Sequence, residues 1–391
     1  CGSLSEVTID SQLIEIPSNT FNDCKSLSKI SIPPTVKKIK GCAFEKCFKL
    51  TEIEIPSSVE DIGNDSFREC KSLQQIIIPS SVKFIDMFAF YGCQSATKVE
   101  IKSPLTSINH HVFQKCSSLK EIVIPSTVKF IGIGAFSDCS SLTSFTIPSS
   151  VECIGRYAFS NCSSVNEFVI PSSVKRIHDH AFRGCSSIKQ IIIPSTVDNF
   201  EHGIFDGCKS LTKAEILCHQ DSIHHHLFNR CYSLAEIIIP DTVTDIEKSA
   251  FYSCSKLTNI IIPPSVTHIG QFAFAYCESL KQIEIPSSVT SIEAEAFRNC
   301  RSLTKINIPS SITQIRELLF MECSSLKEIT LPSTITRIGH NAFNGCSSLE
   351  EIVIPPSVTS IEINAFLNCK SLKKITINSL ITALSHFCFS N

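Results

Sequence analysis

Residues 277–299 read CESLKQIEIPSSVTSIEAEAFRN, and the residue that follows is again a cysteine, Cys300. The apolar positions of this stretch change period along its length. Ile283 and Ile285 alternate with polar neighbours, the two-residue period of a strand with one buried face. Pro286 ends that ladder because it has no N–H to donate. After the Pro-Ser-Ser turn, Val289 and Ile292 supply a second short extended segment. Ala296, Phe297 and Cys300 are then spaced so that Phe and Cys share one face of a single helical turn. Leu280, Ile283, Ile285, Val289, Ile292, Phe297 and Cys300 therefore point inward. One coil cannot bury that face alone, whereas coils stacked about 4.8 Å apart can.

The stretch is one unit of a strict repeat. Cysteine stands at position 1 and at every twenty-third residue through Cys369, and phenylalanine stands three residues before each following cysteine place, from Phe21 to Phe389. Seventeen such units fill the 391 residues without a slip, which predicts one uninterrupted solenoid over residues 1–391 in place of several globular domains. Neither end shows a polar capping repeat, so end-to-end self-association into filaments is an expected alternative state.

Units such as Ile-Pro-Ser-Ser-Val-Thr-Ser-Ile, followed by Ala-Phe and Cys-Ser-Ser-Leu, resemble the BspA-like leucine-rich repeat family in repeat length, in the Ile-Pro step and in the Ala-Phe-x-x-Cys turn. The resemblance covers all seventeen repeats. It implies a curved, right-handed array with one parallel strand per coil on a concave face, the short extended segment and helical turn lying on the other side. It also implies display on a bacterial or protist surface, where such proteins bind host matrix or other cells.

Composition narrows the partners. A formal net charge of -2 with scattered Lys and Arg gives no electrostatic footprint for nucleic acid. Apolar runs such as Ile76-Ile77-Ile78 stop at proline, far short of the roughly 20 residues of a membrane helix. The chain opens directly on a repeat, with no leader resembling a signal peptide. No Gly-rich phosphate loop, Gly-x-Ser-x-Gly elbow or His-Glu-x-x-His is present, so the expectation is a non-enzyme without a cofactor.

Seventeen periodic thiols invite three readings: a disulfide ladder, a metal array or a buried column. Coils about 4.8 Å apart exceed the Cβ separation a disulfide prefers, and no Cys-x-x-Cys pair marks a zinc site. The expectation is a buried, reduced column. Many free thiols suggest a reducing compartment, whereas the family resemblance suggests a surface; an internal structural scaffold thus stands beside the surface adhesin.

Specificity would reside in the outward residues of the strand. The residue between the two strand apolar positions varies from coil to coil, and in seven coils it is β-branched and apolar: Ile77, Val123, Val169, Ile192, Ile238, Ile261 and Val353. Val169, Ile192, Glu215, Ile238 and Ile261, rimmed by Gln190, Lys213 and Glu236, form the candidate face for a protein or glycan partner. The plain alternative is that β-branched residues simply favour strands.

Histidines collect at His178 and His180, at His202 and at His224, His225 and His226. Stacking makes a divalent cation conceivable at His202 and His225, with solvated histidines as the simpler reading. The segment from Cys93 to Phe113 resembles that from Cys208 to Phe228, which suggests duplication of a five-coil block.

Overall fold

The computed structural model describes residues 1–378, 381, 383, 384 and 386–390; Asn391, the last position of the seventeenth repeat, lies outside the described residues. The chain forms two compact units, Cys1–Ile204 and Phe205–Asn391. Each is a parallel β-solenoid whose strand pairs join residues 23 apart. In the first unit Val7 lies opposite Ile30 and Ile76 opposite Val99; in the second Ile306 lies opposite Ile329 and Ile352 opposite Ile375. No helix occurs among the described residues.

Two of the three sides of a coil follow the sequence pattern. The strand side of the first unit includes the ladder Gln75–Ile78, Lys98–Ile101 and Glu121–Val123. The second extended side stacks Ser107–Ile108, Phe130–Ile131, Cys153–Ile154, Arg176–Ile177 and Asn199–Phe200. The second unit repeats this with Ser222–Ile223, Asp245–Ile246, His268–Ile269 and Ser291–Ile292. Proline ends the strand side as expected, and in two of the coils where another residue replaces it the ladder gains a bond. Lys102 donates to the Ile78 carbonyl at 2.9 Å and Asn378 to that of Ile354 at 3.2 Å.

The third side corrects the expected helical turn. The N–H groups of Glu295, Phe297 and Asn299 donate to the carbonyls of Glu317, Leu319 and Met321 on the next coil, at 3.2, 3.2 and 2.7 Å. Those of Ala296, Arg298 and Cys300 close tight turns onto Glu293, Glu295 and Phe297. A helix would return its interior N–H groups to its own preceding turn; here alternate groups leave for the neighbouring coil, which makes a third ladder. Two left-handed residues per coil permit this, Glu295 at φ 63° and Asn299 at φ 59°, each at the third position of its turn. The same pair recurs as His111 with Lys115 and as Tyr157 with Asn161.

The core lies between the three ladders. Leu280, Ile283, Ile285, Val289, Ile292, Phe297 and Cys300 are all buried. From Phe21 to Phe182 the rings of the first unit stack with centroids 5.1 to 5.8 Å apart, and from Phe205 to Phe389 those of the second stack at 5.1 to 5.9 Å. Beside them runs the cysteine column, with no disulfide among the described residues. From Cys47 onward, thiols of the column donate to the carbonyl of the phenylalanine 26 residues earlier, among them Cys139 to Phe113 and Cys162 to Phe136, both at 3.2 Å, and Cys323 to Phe297 at 3.1 Å. A small apolar side chain with one weak donor suits this place, where alanine would leave the column short by an atom.

Candidate functional site

Alternation puts every second strand residue in the core, so the residue between two inward positions must face solvent. In the first unit Val169 is 66% exposed and Ile192 53%, and Gln190 on the rim is exposed as well. In the second unit Ile238 is 50% exposed and Ile261 84%, with Glu236 exposed and Lys213 and Glu215 half-buried. Lys213 and Glu236 pair at 3.5 Å across adjacent coils, a surface ion pair worth about 0 to 1 kcal/mol. Ile77, Val123 and Val353 are exposed in the same way.

The first unit also holds a groove of about 680 Å³ on this side, walled by residues 166–170 and by the strand Gln190–Ile193, with Val169 and Ile192 on its rim. Sequence reasoning did not find it. Its origin lies in two aromatic residues at inward strand positions that isoleucine occupies in the flanking coils, Ile122 and Ile191. Phe145 packs edge-on against Phe136 and Phe159 at 5.1 and 4.7 Å; Phe168 tilts against Phe159 and Phe182 at 5.0 and 4.9 Å. The last ladder bond before the gap runs from Thr143 to Lys120 at 3.2 Å. Residues 144–147 and 166–170 form no strand, and their main-chain groups make no hydrogen bond among the described residues. A ring bulkier than isoleucine under two successive strand segments separates them beyond bonding distance.

A groove of about 670 Å³ occurs on the strand side of the second unit, lined by Ile261, Gln282, Glu284 and Asn307 among others. There the ladder thins to a single bridge between Ile261 and Glu284. The ladder also lapses at 52–55, where Ile53 and Ile55 stand, so an aromatic residue is one cause of opening among others. Two consecutive open segments over inward aromatics distinguish the first unit's groove.

The histidines take two structural roles that spacing alone did not reveal. His111, His180 and His226 hold the first left-handed position of their turns, at φ 58°, 56° and 58°, a conformation in which histidine, asparagine and aspartate are enriched. The second role is to partner carboxylates. Glu247 accepts from Ser222 Oγ at 2.7 Å and from the His225 N–H at 2.9 Å, while His224 Nδ1 lies 3.3 Å and His225 Nε2 3.4 Å from its oxygens. Burial alone would raise its pKa, but the bonds from His224 and Ser222 and the histidine charges outweigh burial and hold the carboxyl at about 2. Glu201 likewise binds His178 Nδ1 at 2.9 Å and the Asp179 N–H at 3.0 Å, and Glu362 takes the His340 N–H at 3.0 Å. These carboxylates satisfy an N–H that the third ladder leaves over, 22 residues earlier. His202, in the first unit, is exposed and its N–H donates to Asp179 at 3.1 Å. His225, in the second, is pinned to Glu247.

Comparison with known proteins agrees with this geometry. The family model described as BspA type leucine rich repeat region (six copies) matches residues 1–117, 37–166, 153–281, 200–327 and 267–391, which together span the chain. The structure is similar to that of a leucine-rich repeat protein from Bacteroides ovatus, with 26% identity, 95% of this chain and 91% of that one covered, and a TM-score of 0.64. It is also similar to a leucine rich cell surface protein from Faecalibacterium prausnitzii, with 32% identity, 82% and 83% covered, and a TM-score of 0.54. The pneumococcal vaccine antigen PcpA shares the fold at 20% identity, with 96% and 89% covered and a TM-score of 0.51. No curated protein matches the chain by sequence. No helix among the described residues is long and apolar enough to cross a membrane.

Proposed function

Because the chain belongs to the BspA-type leucine-rich repeat family, we propose that it is a non-catalytic binding solenoid, displayed at a cell surface and holding a protein partner on its strand side. The observation that carries this reading is the outward strand column: all seven of its β-branched apolar residues are exposed. An apolar residue turned to water gains the fold no burial, and exposed apolar side chains rimmed by polar ones are how protein interfaces look. The surface location follows the relative from Faecalibacterium prausnitzii, itself described as a cell surface protein.

Twenty-one free thiols favour a second reading, an internal scaffold in a reducing compartment. Burial weakens that objection, since thiols kept from solvent and held protonated resist oxidation. Antibody labelling of intact and permeabilised cells separates the two readings. Signal on intact cells is expected, and signal that appears only after permeabilisation overturns the surface reading in favour of the scaffold. Ile192→Asp combined with Ile238→Asp should then abolish capture of the cell-surface or matrix ligand without unfolding the protein.

A further inference from the structure

We infer that His110 and His111 form an acid-sensitive joint: while both rings are neutral they clip the coil that opens at Cys93 to its neighbours on the third side, and as they take up protons that side opens. The joint lies away from the strand side and does not depend on what binds there.

One hydrogen bond sets the protonation state of His110. The Ile133 N–H, left over by the third ladder, donates to His110 Nδ1 at 2.8 Å. A main-chain amide only donates, so that nitrogen accepts and carries no proton; a doubly protonated imidazole has two donors and no acceptor. In three other coils of this unit the corresponding N–H goes to a carboxylate. Asp86 Oδ1 takes that of Met87 at 2.8 Å, Glu201 Oε2 that of Asp179 at 3.0 Å and Asp179 Oδ1 that of His202 at 3.1 Å. Those oxygens keep accepting in mild acid, whereas protonated His110 releases its partner.

His111 clips the same turn to the coil before it. Its ring lies flat on Phe88, with centroids 4.6 Å apart and planes 8° from parallel, and its Nδ1 is 2.9 Å from Gln114 Oε1. Gly134 of the following coil leaves room for the ring, since a Cβ there would meet Nδ1 at 2.5 Å. Burial pulls the His111 pKa below the usual 6.5; the Gln114 bond opposes this, and the charge of a protonated His110 adds to it. A folded-state pKa below the unfolded value means that the stability contributed is complete above about pH 6.5 and is lost as pH falls. The flanking turns offer the two rings no counter-charge. Asp86 holds the Met87 N–H, Tyr91 lies under Lys115 at 5.2 Å, Lys129 pairs with Glu152 at 3.2 Å, Asp138 accepts from Asn161 at 2.9 Å and Arg156 lies 3.7 Å from Asp179. None of them forms an ion pair with His110 or His111 among the described residues.

The matching end of the Cys208 repeat, 115 residues on, has the opposite chemistry. His225 replaces His110 and Glu247 replaces Gly132. The Glu247 carboxylate lies 3.4 Å from His225 Nε2 and 3.3 Å from His224 Nδ1, so protonation there makes an ion pair and tightens the turn. Position 132 has no space for such a carboxylate, because a Cβ would sit 2.7 Å from the Asn109 carbonyl carbon.

Amide hydrogen exchange of the full chain, resolved to single residues and corrected for the intrinsic effect of pH, tests the joint between pH 7.5 and 5. Protection of the His111 and Ile133 amides should fall by about tenfold or more at pH 5. The strand Glu121–Val123 should keep its protection, and so should the His225 amide, which Glu247 holds at 2.9 Å. His110→Asn with His111→Asn supplies side chains that do not titrate: an amide oxygen where Asp179 already reaches the next coil, and a residue that tolerates the φ of 58°. Protection in that variant should be the same at both pH values. Undiminished protection of Ile133 in the parent at pH 5, a loss shared equally by Glu121–Val123, or a loss that persists in the double variant overturns the joint. Should the variant not fold, the parent alone still decides, by whether the loss at His111 and Ile133 occurs and stays local.

Discussion

The cysteine column gives the sharpest test of the core. Cys116 is fully buried, and burial pushes its thiol up to about 12 from an ordinary 9.0. At pH 8 a thiol of pKa 9.0 is about one-tenth thiolate, whereas one at about 12 is about one ten-thousandth thiolate. Since the thiolate is the attacking species, ionisation alone slows alkylation of Cys116 about a thousandfold, before access is counted. Cys47 and Cys369 are raised to about 12 in the same way. Timed alkylation of the native protein, quenched and mapped by mass spectrometry, should label Cys1 first because it is exposed. Cys42 and Cys153, both half-buried, should follow, and the inner column should react once the protein is unfolded in urea. Prompt labelling of Cys116, Cys139 or Cys277 at the rate of Cys1 would refute the inward placement of the column. Recovery of disulfide-linked peptides between consecutive coils would refute its reduced state.

Three further outcomes follow from the packing. Phe136→Ala removes a ring stacked between Phe113 and Phe159 and should cost about 3 to 5 kcal/mol in urea unfolding, toward the lower end if Phe145 relaxes into the space; a loss under about 1 kcal/mol would contradict its core position. Gly132→Ala places a Cβ 2.7 Å from the Asn109 carbonyl carbon and 2.8 Å from the His110 nitrogen, backbone atoms that cannot swing aside, and should cost about 1 to 3 kcal/mol. Gly41→Ala, whose nearest contact is 3.3 Å, should be milder by comparison. Glu247 is depressed to about 2 from 4.5, so its contribution to stability is complete above pH 4.5 and is lost as pH falls toward 2. The urea midpoint of Glu247→Gln should therefore lie below that of the parent at pH 6 and converge on it near pH 2, and parallel curves over that window would refute the pinning role.

The strand and second extended segments were legible because period and proline punctuate them without ambiguity. The helical turn was not. Phe297 and Cys300 stand three residues apart both in a helix and in the ladder of turns that is present, so apolar spacing cannot choose between them. The deciding information sat in the polar residues. The position before the periodic cysteine carries Asp23, Gly92, Asp138, Asn161, Gly184, Gly207, Asn299, Gly345 and Asn368, the residue types that tolerate a left-handed backbone. Lys46, Glu69, Lys115 and Tyr276 at the same position dilute that signal, since the interlocked turns impose the conformation on them as well. Some of the histidines answer a related backbone demand. His111, His180 and His226 fill left-handed positions, and the matching ends of the Cys93 and Cys208 repeats share that backbone demand.

The outward column can now be weighed against strand propensity. Propensity would explain a valine or isoleucine wherever the backbone pairs as a strand, because branched side chains fit a pleated surface. Asn307 and Thr330 hold the same position in coils whose strands pair normally, so the fold does not demand an apolar residue there. Val169 lies in a segment that forms no strand, and it is 66% exposed. Ile261 touches its ladder through one isolated bridge and is 84% exposed. Propensity therefore accounts worst for these two residues, and each lies at a groove where the ladder has opened.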